Sequence, residues 1–572
     1  MPHNNSKQTL LEKLYDIDNV VTVSVTMVPE EWAALLAARP KGEFGFREFQ
    51  PKKNKPDEME KVGRYDWQKA MFVTILGTKF PTSPLTFTDV GIIKKSFAGS
   101  FSNVKPSFRL NFTKWNNDQE KAVESSLGLK HLTLNNSKQD DSYVRQTIGY
   151  DIFRQAGLPY PRCNFAKVIV NGQDYGAYIN LEPMKKAFLE RNFDNTHGNL
   201  YEIEHGEDLV EGSQHMDPLK GISFEGNGPF SDLADLRAAA AVLNMTKTPN
   251  NTFPSASQAI DMDNFLRYFS LEILLKHFDG YALNTNNTYL YNDVVAVKNP
   301  TVAAGNVRLK FIPSGIDQIL LDEKPFAAGI DGVVAYLVLD EAPAAAKLRE
   351  TIRSLAETVF SPANVGGKIL PLVKKMEDLV NTVAKKPSDP SVTEPVAIVR
   401  KQLRIARAGA YQLLDELPPT LGEGLVLRGR ATGAVIEASS ESGTVHQAGL
   451  SGTPAQKWEI MAMPESVNNA AVKVVEKQKV VIKNKAYGTY LHVDKSAPGT
   501  KVCAVKEEGS AGNGFVLAPT AYLPWTGSSG RKMTATGYCW LQSAETGQSV
   551  ALVEGGVTLV DGTSGATEFY LH

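Results

Sequence analysis

The chain has 572 residues, of which 42% are apolar and 22% are charged, and its formal net charge at pH 7 is -2. This length predicts more than one domain. The balanced charge gives no general affinity for nucleic acid or for an anionic membrane surface. The three cysteines, Cys163, Cys503 and Cys539, are far apart and form no CxxC pair, which argues against a zinc knuckle and a disulfide framework.

The N-terminal residues predict no secretory leader. The sequence MPHNNSKQTLLEKLYD lacks the basic stretch and the apolar run of a Sec-type signal peptide. No segment approaches the roughly 20 apolar residues that a membrane-spanning helix needs. We therefore predict a protein without a membrane span that is either cytoplasmic or exported without a cleavable signal.

Strand-like alternation dominates residues 20–170. The segments VVTVSVTMV, MFVTIL and SFRLNF place β-branched and aromatic residues at period two. Among them, DSYVRQTIGYDIFRQAG predicts one amphipathic helix that opens at an Asp-Ser cap and ends at Gly157. Asn171 and Gly172 then predict a two-residue hairpin turn. This part of the chain is expected to be mostly a sheet.

Helical patterns take over from about residue 183 to residue 420. They are clearest in DLADLRAAAAVLNM, MDNFLRYFSLEILLKHF and AAAKLRETIRSLAETVF, and in a run from Ile369 to Val383. A strand-like insertion, TYLYNDVVAVKNPTVAAGNVRLKFIPSGID, interrupts them. Pro418 and Pro419, followed by LGEG, mark a predicted domain boundary.

A repeat occupies the residues beyond 422. Each of its three copies contains a Gly-led strand, a polar turn, a second strand and a Gly-rich turn, followed by an aromatic residue in an apolar strand. Three such copies predict a threefold all-β barrel. The aromatics Trp458, Phe515 and Phe569 are predicted to form its shared core.

A cluster of polar residues follows the helix predicted up to Phe278. An Asp that takes the hydroxyl proton, an Asn that holds metal and a second Asp after a strand pair are parts of a protein-kinase site. The order His277-x-Asp279, Asn284 and, after a predicted strand pair, Asp317 matches that spacing. The alternative is that these residues only form turns. The oxygen donors of the cluster are Asp279, Asn284, Asn286, Asn287 and Asp317.

A segment further upstream offers candidates for phosphate binding. The Gly-Ser-rich turn in KKSFAGSFSNVKPSFRLNF comes before a strand that is predicted to carry Lys105 and Arg109. A glycine turn with a strand-borne cation is suited to phosphates. Gly-Ser turns between strands are also common without a ligand. Lys94 and Lys95 are rival cations.

A hairpin strand that leads into a helix ends at Glu182, which is the arrangement at the hinge of a kinase. The backbone after Tyr178 is a candidate for contacts to an adenine edge. Alternatively, Glu182 is a carboxylate at the start of a helix, where the helix dipole favours negative charge.

Five ordered motifs between residues 20 and 415 resemble the spore-coat CotH family of atypical protein kinases. The motifs are LNN-x4-DS-x2-R (Leu134 to Arg145), VNG-x3-GAY-x3-E (Val170 to Glu182), GNLY (Gly198 to Tyr201), DGY-x2-N-x-NN-x2-LY (Asp279 to Tyr291) and FIP-x3-D (Phe311 to Asp317). The resemblance implies a two-lobed, protein-kinase-like α+β domain. It implies phosphorylation of Ser or Thr of a protein substrate, the chain itself included, with ATP and Mg2+ or Mn2+ as cofactors.

The same resemblance implies roles for individual residues. Asp279 would be the catalytic Asp, and the metal ligands would be Asp317, Asn287 and Asn284. Lys105 and Glu182, from the segments described above, and Arg145 of the first motif are the predicted nucleotide-binding residues. Nucleic acid is not an expected partner.

One departure from the family pattern bears on activity. Family members usually carry Trp-Asp-x-Asp where this chain has Ser314-Gly315-Ile316-Asp317, so one of two acids is absent. Two alternatives to an active kinase therefore stay open. One is an inactive relative that acts in binding or coat assembly, and the other is an enzyme that transfers AMP instead of phosphate.

The C-terminal repeats resemble the ricin-type β-trefoil. Gln456-Lys457-Trp458 matches its QxW signature, which the other two copies lack. The resemblance implies a lectin-like module for a glycan or a protein partner. Asp494 with Tyr490 or His492, and Asp561, are candidates for sugar contacts, and turn formation by these Asp residues is the alternative.

We therefore predict three regions. They are a mostly β lobe at residues 1–182, a mostly helical lobe with the catalytic loop at residues 183–420 and an all-β β-trefoil domain at residues 422–572.

Overall fold

The computed structural model describes most of residues 5–414 and separate strands beyond them. The described segments are 5–41, 49–52, 55–61, 63–95, 98–203, 205–210, 222–226, 233–244, 256–294, 307–321, 330–414, 427–429, 435–439, 444–448, 458–462, 479–484, 490–494, 501–505, 515–519, 538–543, 549–553, 556–560 and 568–571. The chain divides into two compact units. The first unit is Met1–Asp322, Ile330–Leu348 and Ile369–Arg400, and the second unit is Glu323–Gly329, Arg349–Lys368 and Lys401–His572.

A closed barrel of seven strands dominates the N-terminal part of the first unit. The strands of this unit are β1 (Val21–Met27), β2 (Phe49–Lys52), β3 (Lys55–Lys61), β4 (Gln68–Gly77), β5 (Leu85–Lys94), β6 (Phe108–Asn111), β7 (His131–Asn135), β8 (Cys163–Val170), β9 (Gln173–Leu181), β10 (Asn199–Ile203), β11 (Ser223–Gly226), β12 (Thr288–Asn292) and β13 (Leu309–Pro313). The barrel order is β1-β4-β5-β6-β7-β9-β8. β1 and β8 pair in parallel, and the other neighbours pair antiparallel.

Period-two alternation builds the core of the barrel. Val21, Val23 and Val25 of β1 are buried, whereas the residues between them are at least partly exposed. Such alternation follows from the pleat of a strand. The buried side chains form one apolar cluster with Phe108 of β6 and with Trp32, which lies on a short helix. The Trp32 and Phe108 rings pack edge to face with centroids 6.5 Å apart.

Helices cover the barrel and form most of the chain between residues 183 and 414. They are α1 (Asn5–Leu14), α2 (Pro29–Ala37), α3 (Glu120–Leu127), α4 (Arg145–Gln155), α5 (Lys186–Asn192), α6 (Ala234–Asn244), α7 (Met262–Leu274), α8 (Tyr281–Asn284), α9 (Val333–Asp340), α10 (Ala342–Glu357), α11 (Pro362–Asn364), α12 (Leu370–Leu379) and α13 (Thr393–Leu414), with π-helical turns at Val365–Ile369 and Val380–Ala384 and 3-10 turns at Ala98–Ser100, Asn117–Gln119 and Ile316–Gln318. No helix of the described segments is long and apolar enough to cross a membrane.

A four-stranded antiparallel sheet in the order β11-β10-β12-β13 lies between these helices in the chain. The strand-like insertion predicted after residue 287 forms β12 and β13, which pair as expected. β10 and β11 have no counterpart among the predicted strands. β10 is buried on both faces except at Glu202, so its sequence lacks the period-two alternation that marks a strand, and β11 has only four residues.

The described strands of the second unit are consistent with the predicted repeat. They are β14 (Leu427–Gly429), β15 (Val435–Ser439), β16 (Thr444–Ala448), β17 (Trp458–Ala462), β18 (Lys479–Asn484), β19 (Tyr490–Asp494), β20 (Lys501–Val505), β21 (Phe515–Pro519), β22 (Tyr538–Ser543), β23 (Ser549–Val553), β24 (Gly556–Val560) and β25 (Glu568–Leu571). They follow one another as three sets of four. The middle two strands of each set form an antiparallel hairpin, and β20 pairs with both β16 and β24.

Several predictions about local structure can be compared directly. The hairpin turn at Asn171 and Gly172 is confirmed, with φ of +49° and +80°. The helix predicted in residues 141–157 is α4, but it begins at Arg145 and not at an Asp-Ser cap. Asp140 accepts the Arg145 amide at 2.9 Å, because the preceding turn places this carboxylate over the first helical N–H group.

Two more predictions differ from the structure or lie beyond its description. Lys105 stands in the loop before β6 and not on a strand, because Pro106 has no N–H group to pair. The boundary predicted at Pro418 and Pro419 lies outside the described residues, as do Asp561 and the side chains of Trp458, Phe515 and Phe569.

Candidate functional site

The predicted catalytic residue, Asp279, lies in the turn between α7 and α8. Its carboxylate accepts hydrogen bonds from three asparagine side chains: Asn284 at 2.5 Å, Asn286 at 3.1 Å and Asn287 at 2.8 Å. Asn287 also donates to the Asp279 carbonyl at 2.8 Å. Three amide donors around one carboxylate restrict its rotation and fix the direction in which its remaining lone pairs point.

The backbone conformation of this loop is part of its geometry. Thr285 and Asn287 have left-handed φ values of +37° and +50°. Such values are uncommon outside glycine, although Asn adopts them more readily than other residues. They bend the chain after α8, so that Asn284, Asn286 and Asn287 all point back to Asp279. Nothing in the spacing of these residues alone predicts that convergence.

Asp317 is brought to the same site by the turn after β13. Asn287 connects the two loops, because its carbonyl accepts the Ser314 amide at 3.0 Å while its side chain holds Asp279. Burial, together with the nearby carboxylates of Asp140 and Asp279, raises the pKa of the Asp317 carboxyl to about 7. Asp317 therefore lies in a field of like charge, which a cation would relieve.

Gly315 stands where the family resemblance leads us to expect an acid, and its surroundings favour glycine. Its φ is +52°, in the left-handed region, and a Cβ added there would lie 2.0 Å from Asn287 Oδ1. Any side chain at residue 315 would therefore displace Asn287 or distort the turn. The close approach of the two loops thus leaves no space for an acidic side chain at residue 315.

Arg145, a predicted nucleotide-binding residue, is buried in an ion pair. Its Nη1 lies 2.7 Å from Asp140 Oδ1 and 3.1 Å from Asp141 Oδ1. Asp140 is completely buried, and burial raises its pKa while Arg145 opposes that shift. The pair lies next to Asp317. Arg145 therefore balances the acidic part of the site, and its contact with a nucleotide stays a prediction.

Lys105, the predicted phosphate-binding cation, lies in an aromatic cage. Its Nζ donates to the Tyr143 hydroxyl at 2.7 Å and lies 5.0 Å from the ring centroids of both Tyr143 and Tyr178. Burial lowers the pKa of this ammonium to about 8. No carboxylate of the described residues lies within ion-pair distance of Lys105, so a bound anion would supply its counter-charge.

The rival cation Lys94 is fully engaged elsewhere. Its Nζ donates to the Leu36 and Ala38 carbonyls at 2.9 Å each and to Asn103 Oδ1 at 3.2 Å. These three bonds use all the N–H groups of the ammonium. They attach the Gly-Ser loop to the end of α2. Of the two lysines, only Lys105 has donors left for a ligand among the contacts that the structure describes.

The Gly-Ser loop before β6 is held in place by side chains. Ser102 Oγ accepts the amides of Val104 and Lys105 at 3.2 and 2.9 Å. Asn136 Nδ2 donates to the carbonyls of Ser100 and Lys105 at 3.1 and 2.7 Å. The residues of this loop therefore present Lys105 from a fixed backbone. Asn136 belongs to the first CotH-like motif, but its role in holding the loop is visible only in the structure.

Glu182 lies at the end of β9, as predicted, in a cluster of arginines. Its carboxylate is 2.6 Å from Arg191 Nη2 and 3.3 Å from Arg162 Nη1, and it accepts the Arg162 amide at 2.9 Å. The preceding strand residues pair with β7 on one side and with β8 on the other. The backbone N–H and C=O groups after Tyr178, which the sequence analysis considered for contacts to an adenine edge, are thus used for strand pairing in the barrel. Nucleotide binding by Glu182 stays a prediction.

The oxygen donors of the site would suit a hard cation only if carboxylate and amide oxygens bind it together. Among the residues that the structure describes, no group of three or more His, Cys, Asp or Glu side chains could hold a metal ion. Asp317 offers a carboxylate, and Asn287 offers its Oδ1 because its Nδ2 is used by Asp279. Phosphate oxygens or water would have to complete such a site.

Comparison with known proteins finds a family model that matches part of the chain. Residues 96–313 match the family described as CotH kinase protein. The matched residues begin at the Gly-Ser loop, include the Asp279 loop and end with β13.

Three curated relatives show how far the likeness extends. Invasin CotH2 of Rhizopus delemar is 23% identical over 315 residues, which is 50% of this chain and 51% of that protein. Inner spore coat protein H of Bacillus subtilis is 23% identical over 27% of this chain and 44% of its own length. A B. subtilis inner spore coat protein H-like protein is 36% identical over 11% of this chain and 21% of its own. The chain thus spans about half the length of these relatives or less.

Solved structures resemble only a part of the chain. The designed threefold symmetric protein ThreeFoil covers 27% of this chain and 98% of its own length, with 16% identity and a TM-score of 0.20. The SDF2-like protein from Arabidopsis thaliana covers 27% of this chain and 95% of its own, with 12% identity and a TM-score of 0.22. Likeness at this level carries no argument about function.

Proposed function

We propose that the chain is a protein kinase that transfers phosphate from ATP to Ser or Thr hydroxyls of a protein, with Mg2+ or Mn2+ as cofactor. The observation that supports this most directly is the pairing of two acidic loops. Asp279 is held by three asparagine amides, and one of these, Asn287, also hydrogen-bonds to the loop that carries Asp317.

Each residue has a separate task in this proposal. Asp279 accepts the hydrogen of the substrate hydroxyl, and its amide donors keep it aligned for that step. Lys105 offers its ammonium to the phosphates from the fixed Gly-Ser loop. Arg145 balances Asp140, so that this buried acid does not repel the nucleotide. Positioning and charge stabilisation account for most of the catalysis of phosphoryl transfer.

Asp317 and Asn287 would hold the metal ion. Their fit to a hard cation comes from the mixture of one carboxylate and one amide oxygen and from the like charge around Asp317. When bound, the ion neutralises charge on the phosphates during transfer. Asn284 also donates its Nδ2 to Asp279, but unlike Asn287 it makes no described hydrogen bond to the loop that carries Asp317, so it is less suited to hold the ion.

A second candidate function is favoured by Gly315. The acid that relatives usually have at this place is absent, and the named relatives are coat proteins and invasins. In this candidate the CotH segment binds nucleotide weakly or not at all, and the chain acts in binding or assembly. AMP transfer uses the same ligands and differs in the phosphate that the nucleophile attacks.

The second unit would supply a targeting module. Its twelve described strands form three sets of four with hairpins that contact one another, which supports a β-trefoil. A ricin-like module of this kind would bind a glycan or a protein partner. Tyr490, His492 and Asp494 all lie on β19 and are the residues to substitute first.

The test uses ATP labelled separately at the γ and α phosphates, with Mg2+ or Mn2+, and measures label on the chain and on a generic protein substrate. We expect label from the γ position that is lost in Asp279→Ala and Asp317→Ala. Asp263→Ala is the matched control, because Asp263 lies on α7 with 90% of its side chain exposed. Label from the α position would establish AMP transfer. No label and no thermal shift with ATP would favour the binding protein.

A further inference from the structure

A fully buried glutamate on α7 lies behind the Asp279 loop. Glu272 is 0% exposed, and both of its carboxylate oxygens accept backbone amides. Oε1 accepts the Tyr281 amide at 2.7 Å, and Oε2 accepts the Ala282 amide at 3.0 Å. These are the first two residues of α8, whose N–H groups have no partner within the helix. Glu272 therefore caps α8 from a different element.

The loop is also attached to Glu272 at its other end. The Glu272 carbonyl accepts the His277 amide at 2.8 Å, and the His277 carbonyl accepts the Gly280 amide at 3.3 Å. Lys276, between them, has a left-handed φ of +57°. Asp279 is thus carried by a segment whose two ends are both bonded to one residue.

Gly280 shows how closely the carboxylate approaches the loop. A Cβ added at Gly280 would lie 2.1 Å from Glu272 Oε1 and 2.7 Å from His277 Nδ1. Atoms at these distances would collide. The φ of Gly280 is -91°, which other residues adopt, so that space and not backbone conformation requires glycine. The Glu272 carboxylate can therefore approach the loop this closely only because Gly280 has no side chain.

We infer that Glu272 is a positioning residue for the proposed reaction: its carboxylate holds the Tyr281 and Ala282 amides directly after Asp279-Gly280, its main-chain carbonyl holds the His277 amide before them, and together they aim the Asp279 side chain at the substrate hydroxyl. The inference rests on the proposed function. Glutamine cannot replace Glu272, because it has one acceptor oxygen and would direct an NH2 group at a backbone N–H. Lys105 and Asp317 do not touch Glu272 in the described contacts, so nucleotide binding should be independent of it.

The variant Glu272→Gln tests this assignment in the full chain. We expect kcat to fall about 100-fold with KM for ATP within about twofold of the wild type, because a misplaced reacting group lowers the rate without removing binding contacts. We also expect faster hydrogen exchange at the Tyr281 and Ala282 amides. Glu377→Gln is the matched control, because Glu377 is also buried, on α12, and pairs with Arg400. It should leave kcat per folded molecule unchanged.

Two further variants test the contact between Glu272 and Gly280 by changing Gly280. Gly280→Ala should lower kcat to a similar extent, because the new methyl group displaces the Glu272 carboxylate. Glu272→Ala with Gly280→Ala should lose less activity than the sum of the two single losses, since both changes remove the same contact of Glu272 and only the approach of the new methyl group to His277 is added. Strictly additive losses would contradict the assignment.

The outcomes separate this inference from the proposed function. A Glu272→Gln protein with wild-type kcat, or with unchanged exchange at Tyr281 and Ala282, would overturn the positioning role. If the wild type transfers neither γ nor α label, the proposed function fails and with it the catalytic purpose of Glu272. In that event the exchange measurement still decides whether Glu272 holds the loop.

Discussion

The barrel and the Asp279 loop differ in the kind of side chain that they bury and in its effect on stability. The barrel buries alternating apolar side chains such as Val23 and Phe108, and apolar burial stabilises a fold. The loop buries carboxylates, including Glu272, and contains left-handed residues such as Asn287, both of which lower stability. The difference indicates that the barrel, and not the loop, contributes most to the stability of the first unit.

The largest expected effect is on transfer, from Asp279→Ala. Activity should fall about 1,000-fold or more, in the range of a lost general base, while the unfolding midpoint changes little. The side chain is only partly buried and contributes little to the core. A rate assay and thermal unfolding of the same preparation measure both quantities. Normal transfer by the folded variant would remove the catalytic assignment of Asp279.

The barrel should respond in the opposite way. Phe108→Ala should reduce the free energy of unfolding of the first unit by about 3–5 kcal/mol, because it leaves a cavity in a fully buried position. Phe72→Ala is the control, since Phe72 on β4 is 48% exposed, and it should change that value by less than about 1 kcal/mol. Urea titration measures both. Equal effects would mean that the outer face of the barrel is covered in solution.

Lys94 and Lys105 allow a structural role and a proposed ligand-binding role to be compared for the same residue type. Lys94→Met should destabilise the first unit by about 2–4 kcal/mol, because the Leu36 and Ala38 carbonyls lose their donor. Lys105→Met should change stability by less than about 1 kcal/mol, since a methionine keeps the contact with the tyrosine rings. It should abolish the thermal shift with ATP. The reverse pattern would make Lys94 the phosphate ligand.

The smallest expected effect is a change in how stability depends on pH. The folded-state pKa of Asp317 is raised to about 7, so that the folded chain binds more protons than the unfolded chain between about pH 4 and pH 7. The wild type should lose stability as pH rises through that interval. Asp317→Asn should remove this loss, and its midpoint should exceed that of the wild type most clearly above pH 7. Thermal unfolding at pH 5 and pH 8 without divalent metal would show it, and parallel pH profiles would contradict it.

Short-range patterns determined much of the fold. The period-two valines of β1, the Asn171-Gly172 turn and the apolar stripe of α7 were sufficient to predict a strand, a hairpin and a helix, because each depends on neighbours within a few residues. The polar order from His277 to Asp317 likewise predicted which loops belong together. β10 was missed because burial on both of its faces removes the alternation of apolar and polar residues, and β11 because it has only four residues.

Only the tertiary structure decided what the polar residues do. Glu272 belongs to none of the five motifs, and the sequence marked Asn286 only as an oxygen donor of the cluster. Their roles arise where a bent loop and a separate helix approach Asp279. The sequence did not exclude either Lys94 or Lys105 as a phosphate ligand. In the structure, carbonyls of residues distant in the chain accept the N–H groups of Lys94, whereas Lys105 keeps N–H groups that a ligand could accept. Hydrogen bonds between residues far apart in the chain depend on packing, which no local pattern encodes.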